Sequence, residues 1–234
     1  MHTYIYKYNY NALILLGTLC ILLIPIYNTL DKCLKINNKY QNLSLQRRRY
    51  VIKNIIKSCV LLSMIILLIK PIIIPIILYD KWNNYYIHIG AAFYTVNDLM
   101  GLVMVKNLPY STKAHHTITT TLCLVSFGID FQTSELGKLL YIYTISSASA
   151  YLVNFYLGLR LIMEKQKLEI VRIASRNIYF ICCVFNWTWH LIWLFQHYYI
   201  MNIGHIMYFF LLFWIIKDDI ILLSWLNNRM IKFN

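Results

Sequence analysis

NALILLGTLCILLIPIYNTL, residues 11–30, is a run of twenty residues without a single Asp, Glu, Lys or Arg. A helix that crosses ~30 Å of hydrocarbon needs ~20 mostly apolar residues. The stretch therefore predicts a transmembrane helix, and similar runs follow it along the chain.

The composition of the whole chain supports the same class of fold. Of its 234 residues, 59% are hydrophobic and only 13% are charged, and the mean hydropathy is +0.55. Soluble domains carry about 25% charged residues. The sequence predicts one all-α, polytopic transmembrane bundle, with no room for a soluble domain beside it.

Seven segments are long and apolar enough to be predicted as spans. They are residues 11–30, 53–78, 87–106, 114–132, 138–160, 177–197 and 203–226. The second span contains Pro71 and Pro75, which predict a kink or an early end, because proline cannot donate a helical hydrogen bond. The third and fourth spans are the most polar, so their polar groups are expected to face the bundle.

The basic residues are distributed unevenly between the loops. Fifteen of the 22 fall on one side of the predicted membrane: Lys32, Lys35, Lys39, Arg47, Arg48, Arg49, Lys106, Lys113, Arg160, Lys165, Lys167, Arg172, Arg176, Arg229 and Lys232. The positive-inside rule makes that side cytosolic. The N-terminus is then lumenal or outside, and the C-terminus cytosolic. Loop charges of this kind do not predict nucleic-acid binding, which needs a basic face on a folded domain.

The predicted organisation has three parts. Residues 1–43 form a first transmembrane helix and a basic cytosolic loop, 44–228 form the main transmembrane domain, and 229–234 form a short cytosolic tail. A cleaved signal peptide is disfavoured because the positive charge follows the first apolar run and no small-residue cleavage site is evident. The six cysteines have no metal-binding or redox spacing.

The third and fourth spans carry the candidate catalytic residues Asp98, His115 and His116. Tyr94 and Asp98 are four residues apart and share a helical face, while His115 and His116 open the next helix after a short loop. A carboxylate beside an imidazole fixes one tautomer, as a general base requires. The alternative is structural: the histidines cap the helix, and Asp98 bonds a tyrosine or a backbone amide. No metal site is expected.

Four motifs together resemble the TLC family of multi-pass membrane proteins, which includes the ceramide synthases and the translocon-associated TRAM proteins. They are FYTVNDL (93–99), KAHHTITTTL (113–122), SSASAYLVNF (146–155) and DDIILLSW (218–225). The resemblance covers about residues 44–228 and is closer to the small TLC-domain proteins than to the ceramide synthases. It implies lipid-cavity or structural polar roles for six residues: Tyr94, Ser147, Asn154, His190, Asp219 and Trp225.

The sequence also departs from that family. Residues 117–160 lack the further histidine and the paired acids of the ceramide synthase motif. Ser147 stands where the small TLC-domain proteins carry a glutamate, and His190 stands at a basic position of the following helix. These departures weigh against acyl-CoA-dependent N-acylation.

The resemblance implies a role in lipid homeostasis or membrane lipid composition, with a long-chain lipid bound in a helical cavity. One alternative is a ceramide-synthase-like acyltransferase that uses acyl-CoA and a sphingoid base; a further one is a trafficking or translocon-associated chaperone. Whether the chain is an enzyme stays open. No cofactor is expected, with acyl-CoA as co-substrate only for the acyltransferase. The expected partners are membrane lipids and a lipid or acyl-chain ligand, the expected location is the endoplasmic reticulum, and a homo- or hetero-dimer stays open.

Overall fold

The computed structural model describes residues 8–228, which form helices and no strands. The helices are α1 Tyr10–Leu34, α2 Asn38–Gln41, α3 Leu45–Leu68, α4 Ile74–Tyr79, α5 Asn84–Met104, α6 Tyr110–Ser126, α7 Glu135–Ser149, α8 Tyr151–Leu159, α9 Lys165–His197 and α10 Ile203–Asn228. The predicted all-α class is confirmed for this part of the chain. The predicted tail, residues 229–234, lies outside it.

Four helical segments of the described chain are long and apolar enough to cross a membrane. They are Tyr10–Leu34, Leu45–Tyr79, Asn84–Met104 and Lys165–Ile200. They coincide with the first, second, third and sixth predicted spans. Three of the four expose most of their apolar surface, as lipid-facing helices do. Of the most apolar 18 residues in each segment, only 17% are buried in Tyr10–Leu34, 17% in Leu45–Tyr79 and 22% in Lys165–Ile200.

The other three predicted spans have features that separate them from this group. Helix α6 has 17 residues, or ~26 Å at the usual rise, and the fifth predicted span is divided into α7 and α8 at Ala150. Helix α10 is long, but Lys217, Asp218 and Asp219 lie together within it. These three segments stay predictions as membrane spans.

The prolines of the second span interrupt its α-helical geometry. Helix α3 ends at Leu68, a π-helical turn runs through Ile69–Ile73 and contains Pro71, and α4 follows with Pro75 in its first turn. Proline has no backbone N–H and displaces the preceding turn, so the wider π turn accommodates it. The predicted interruption, a kink or an early end, is observed as this change from α-helical to π-helical geometry at Leu68.

Helix α5 is the centre of the bundle and packs against α1, α3 and α6. Of the most apolar 18 residues in this helix, 61% are buried, far more than in the other three candidate spans. Its buried side chains include polar ones, among them Thr95, Asn97 and Asp98, each at most 1% exposed. The polar face predicted to point into the bundle therefore does so.

Helices α3 and α8 approach each other closely at Gly158. A Cβ atom there would lie 2.8 Å from Ile55 Cγ1 and 3.3 Å from the carbonyl oxygen of Val51. Small residues permit such contact between helices in membranes. In the preceding SSASA segment, Ser146, Ala148 and Ala150 are buried. This tight packing places α8 beside the first half of α3, around Val51 and Ile55.

The loop between α6 and α7 contacts the N-terminal end of α5, the end away from Asp98. Asp130 Oδ1 accepts a hydrogen bond of 2.7 Å from Asn84, and Thr133 donates to Asp130 Oδ2 at 3.0 Å. Burial alone would raise the pKa of the Asp130 carboxyl, but these hydrogen bonds lower it below its ordinary value. The loop is thus held by an ionised carboxylate.

Candidate functional site

A cavity of about 700 Å³ opens between α3, α6, α8 and α10. This volume falls in the range of about 300–1,000 Å³ that small-molecule sites occupy. Its wall contains polar residues from α3 and α6 and apolar residues from α8 and α10; the apolar ones are Val153, Leu157, Ile221 and Leu222. The arrangement suits a ligand with a polar end and an apolar chain.

Asp98 is the centre of a buried polar cluster directly behind the cavity wall. The residue is 0% exposed. Its Oδ1 contacts Lys57 Nζ and lies 2.9 Å from His116 Nδ1, and its Oδ2 accepts a hydrogen bond of 2.9 Å from Thr119 Oγ1. His116 and Thr119 are three residues apart on α6, so both face α5. The carboxylate therefore joins α3, α5 and α6.

His116 is held at both ring nitrogens. Its Nε2 lies 2.9 Å from Lys53 Nζ, while its Nδ1 faces Asp98. A lysine ammonium can only donate, so Nε2 accepts and the ring proton resides on Nδ1, where it faces the carboxylate. Because each ring nitrogen lies 2.9 Å from one of these two side chains, His116 lies as a bridge between Lys53 and Asp98.

His115 has a different partner and a more open position. Its Nδ1 lies 3.2 Å from Asp218 Oδ2 on α10, and its side chain is 12% exposed compared with 5% for His116. The two imidazole rings meet edge to face, with centroids 5.7 Å apart and planes at 89°. Of the two histidines, His115 therefore has the carboxylate–imidazole pairing that suits proton transfer at the cavity wall.

The six residues given lipid-cavity or structural polar roles separate into three groups: those that line the cavity, those behind its wall, and His190. Ser147, Asn154 and Trp225 line the cavity. Tyr94 and Asp219 lie behind the wall and bond to wall residues: Tyr94 donates to Ser147 Oγ at 2.8 Å, and Asp219 accepts from the Tyr179 hydroxyl at 2.7 Å.

His190 lies elsewhere in the bundle. Its Nδ1 lies 2.7 Å from the carbonyl oxygen of Asn186, and its Nε2 lies 2.7 Å from the Tyr208 hydroxyl. The side chain is buried between α9 and α10, outside the wall of the cavity. Its contacts connect helices and do not reach the Asp98 cluster.

The mouth of the cavity carries two arginines, Arg47 and Arg160. The Arg160 guanidinium carbon lies 4.5 Å from the centre of the Trp225 ring and 5.7 Å from that of Tyr50, and Arg160 donates to the Tyr50 hydroxyl at 3.3 Å. Stacking on aromatic rings holds a guanidinium without neutralising it. The mouth is therefore positively charged.

Three of the functional side chains were not singled out from the sequence. They are Lys53, Lys57 and Asp218. A signal for the lysines does exist: they are four residues apart within the second predicted span, hence on one face of the helix, and buried cations need partners. For Asp218, only its neighbour Asp219 was named from the sequence. In the structure each acid has its own partner: Asp218 pairs with His115, and Asp219 accepts from Tyr179.

The same cluster contains a set of residues that could hold a metal ion. One ligand atom each from Asp98, His115 and His116 lies within 4.8 Å of the others. However, Lys57 contacts Asp98 and Lys53 lies 2.9 Å from His116. These two ammonium groups repel a dication, so they disfavour a metal ion at this set of ligand atoms.

Comparison with known proteins gives no relative for this chain, since no protein-family model, no curated protein and no solved structure matches it.

Proposed function

We propose that this chain is an integral membrane protein that binds a long-chain lipid in the cavity between α3, α6, α8 and α10. The observation that carries the proposal is the cavity itself: about 700 Å³, with Lys53, His115 and His116 on one side and leucine, valine and isoleucine on the other. A polar cluster costs free energy within a bilayer, so its presence beside an apolar space supports a ligand that has both a polar and an apolar part.

The wider proposal includes the topology. About seven spans, a lumenal N-terminus and a cytosolic C-terminus place the mouth of the cavity, with Arg47 and Arg160, on the cytosolic side. The resemblance of residues 44–228 to TLC-domain proteins supports a role in lipid homeostasis and a location in the endoplasmic reticulum. Trp225 and Asn154, two residues of the resembling motifs, line the cavity.

Lipid binding is tested by filling the cavity. Leu157→Trp places an indole in the apolar wall, whereas Leu191→Trp makes the same change at a side chain that is 55% exposed on α9. Each protein is purified from cells in neutral detergent, and bound lipids are identified by native mass spectrometry. We expect a lipid with the wild type and Leu191→Trp and its loss with Leu157→Trp. Equal lipid in both variants would contradict binding at this cavity.

A second candidate function is an acyl transfer to an amine, and the contact between His115 and Asp218 favours it. A carboxylate that orients an imidazole produces a general base that can take a proton from an attacking amine. Asp98 and His116, the other predicted catalytic residues, would then position the cluster and not touch the reacting atoms.

The acyltransferase candidate has a direct assay. Purified protein is incubated with palmitoyl-CoA and sphinganine, and the N-acyl product is measured. If the candidate holds, His115→Gln lowers the rate by about 10²–10⁴-fold. The matched variant His197→Gln changes a histidine that stacks on Trp193 away from the cavity and leaves the rate unaltered. Absence of product with the wild type rejects this candidate but leaves lipid binding standing.

A further inference from the structure

The wall of the cavity has an excess of positive charge. Arg47, Lys53, Lys57 and Arg160 line it, and Asp218 is the one acidic residue among the lining residues of the described chain. Asp218 pairs with His115, and Asp98, behind the wall, contacts Lys57. Most of the cationic groups of the wall thus have no carboxylate of their own.

Lys53 is the clearest case, because it is buried and no carboxylate contacts its ammonium group. The residue is 3% exposed, and its Nζ lies 2.9 Å from His116 Nε2, which is a neutral acceptor. Within residues 8–228, no carboxylate oxygen lies within 4.0 Å of its Nζ. A buried ammonium is stabilised by an opposite charge, and this one faces the cavity.

The fold keeps Lys53 in this position. Gly101 of α5 lies against its side chain: a Cβ atom at Gly101 would be 2.9 Å from Lys53 Cε and 3.7 Å from His116 Cδ2. The absence of a side chain at Gly101 lets the lysine pass and reach the cavity. The Asp98 cluster then orients His116, which fixes the ammonium in turn.

We propose that Lys53 binds the anionic head group of a single-chain amphiphile, whose chain lies along Val153, Leu157, Ile221 and Leu222. This inference rests on the proposed lipid-binding function and adds the charge of the ligand. An oxyanion at Lys53 supplies the directly contacting carboxylate or phosphate oxygen that the chain itself does not, and forms charge-assisted hydrogen bonds. Arg47 and Arg160 attract the same charge toward the mouth. A cationic amphiphile such as a sphingoid base is repelled by Lys53 and Lys57.

A carboxylate or a phosphate has the required chemistry, and either could arrive on a lipid or as a free ion from the cytosol. Direct binding to the protein in phosphatidylcholine nanodiscs separates these sources. Radiolabelled palmitate is the anionic probe, and hexadecanol and sphingosine compete as neutral and cationic single-chain analogues. Acetate and inorganic phosphate compete as free anions, and empty nanodiscs give the background.

The matched variants are Lys53→Met, Lys53→Arg and Lys138→Met. Methionine keeps the length of the side chain and removes its charge, and arginine keeps the charge. Lys138 pairs with Glu135 at 2.9 Å, away from the cavity, and serves as the control. We expect Lys53→Met to weaken palmitate binding at least about tenfold, Lys53→Arg to bind palmitate more tightly than Lys53→Met does, and the control Lys138→Met to bind within a few-fold of the wild type. Hexadecanol, sphingosine, acetate and phosphate should compete poorly.

Each other outcome decides the question. Equal palmitate affinity in Lys53→Met and the wild type overturns the inference, as does equal competition by hexadecanol or sphingosine; in both results lipid binding itself still stands. Competition by acetate or phosphate at the concentration of palmitate assigns the site to a free anion and overturns the amphiphile. If no amphiphile of any charge binds, the proposed function fails as well. If Lys53→Met does not fold, competition of hexadecanol and sphingosine with palmitate on the wild-type protein decides alone.

Discussion

Replacement of Asp98 is the sharpest test of how the polar cluster holds the bundle together. Asp98→Asn keeps the size of the side chain but removes the charge that faces Lys57 and His116. Lys57 is then a buried ammonium, with a side chain 8% exposed, and loses its carboxylate. Removing one partner of a buried ion pair typically costs ~3–5 kcal/mol, so we expect a loss of that size in the free energy of unfolding.

The reciprocal change should cost less. In Lys57→Met the Asp98 carboxylate keeps His116 at 2.9 Å and the hydroxyl of Thr119 at 2.9 Å. The hydrogen bond from Thr119 and the neighbouring His116 ring remain, so we expect a loss of ~1–3 kcal/mol. The double variant removes both charges, and its loss should fall short of the sum of the single losses by ~0.5–3 kcal/mol, as neighbouring residues generally show.

Equilibrium unfolding in mixed micelles with increasing SDS measures all three variants. Glu164→Gln is the control, because the Glu164–Lys167 pair is mostly exposed, with side chains 61% and 67% accessible, and should leave stability unchanged. The reasoning is refuted if Lys57→Met destabilises as much as Asp98→Asn. It is also refuted if the loss in the free energy of unfolding of the double variant equals the sum of the two single losses.

Two further predictions concern packing and pH. Gly158→Ala should destabilise by ~1–3 kcal/mol because the new methyl meets Ile55 at 2.8 Å, whereas Gly17→Ala, with no atom within 4 Å, should be neutral or slightly stabilising in the same unfolding assay. Comparable losses at the two glycines would contradict close contact of α3 and α8. The pKa of the Asp130 carboxyl is below its ordinary 3.8 in the folded chain, so its stabilisation is present above that value and is lost as pH falls through the folded pKa. Thermal unfolding of Asp130→Asn should therefore depend less steeply on pH below about 4 than the wild type; identical slopes would show that the carboxylate contributes nothing there.

Much of the helical architecture was predictable because it depends on local properties. The apolar runs predict α1, α3, α5, α9 and α10 as long helices, and the structure has a helix of more than 20 residues at each of these places. Pro71 and Pro75 predict an interruption, and the π turn lies at that place. The division of the fifth predicted span at Ala150 was missed, since SSASAYLV has no proline or charge to mark a break.

The candidate site was predictable in part. Asp98, His115 and His116 could be named together because the two histidines lie in the first half of one helix and Asp98 faces it from the preceding helix, although α6 begins at Tyr110 and not at the histidines. The different partners of the two histidines could not be derived, because adjacent residues point about 100° apart and the sequence does not state which neighbour each meets. His190 was grouped with the cavity by analogy, and its observed contacts with Asn186 and Tyr208 depend on how α9 and α10 pack.

By itself, the sequence determined the class of fold: an apolar chain with few charges forms helices, since each helix satisfies its own backbone hydrogen bonds. It also determined which helices carry polar groups. Only the tertiary structure decided that Lys53 and Lys57 of α3 meet His116 and Asp98 from α6 and α5, and that Asp218 of α10 meets His115. These pairings span from 41 to 103 positions along the chain, and packing geometry, not local pattern, selects them.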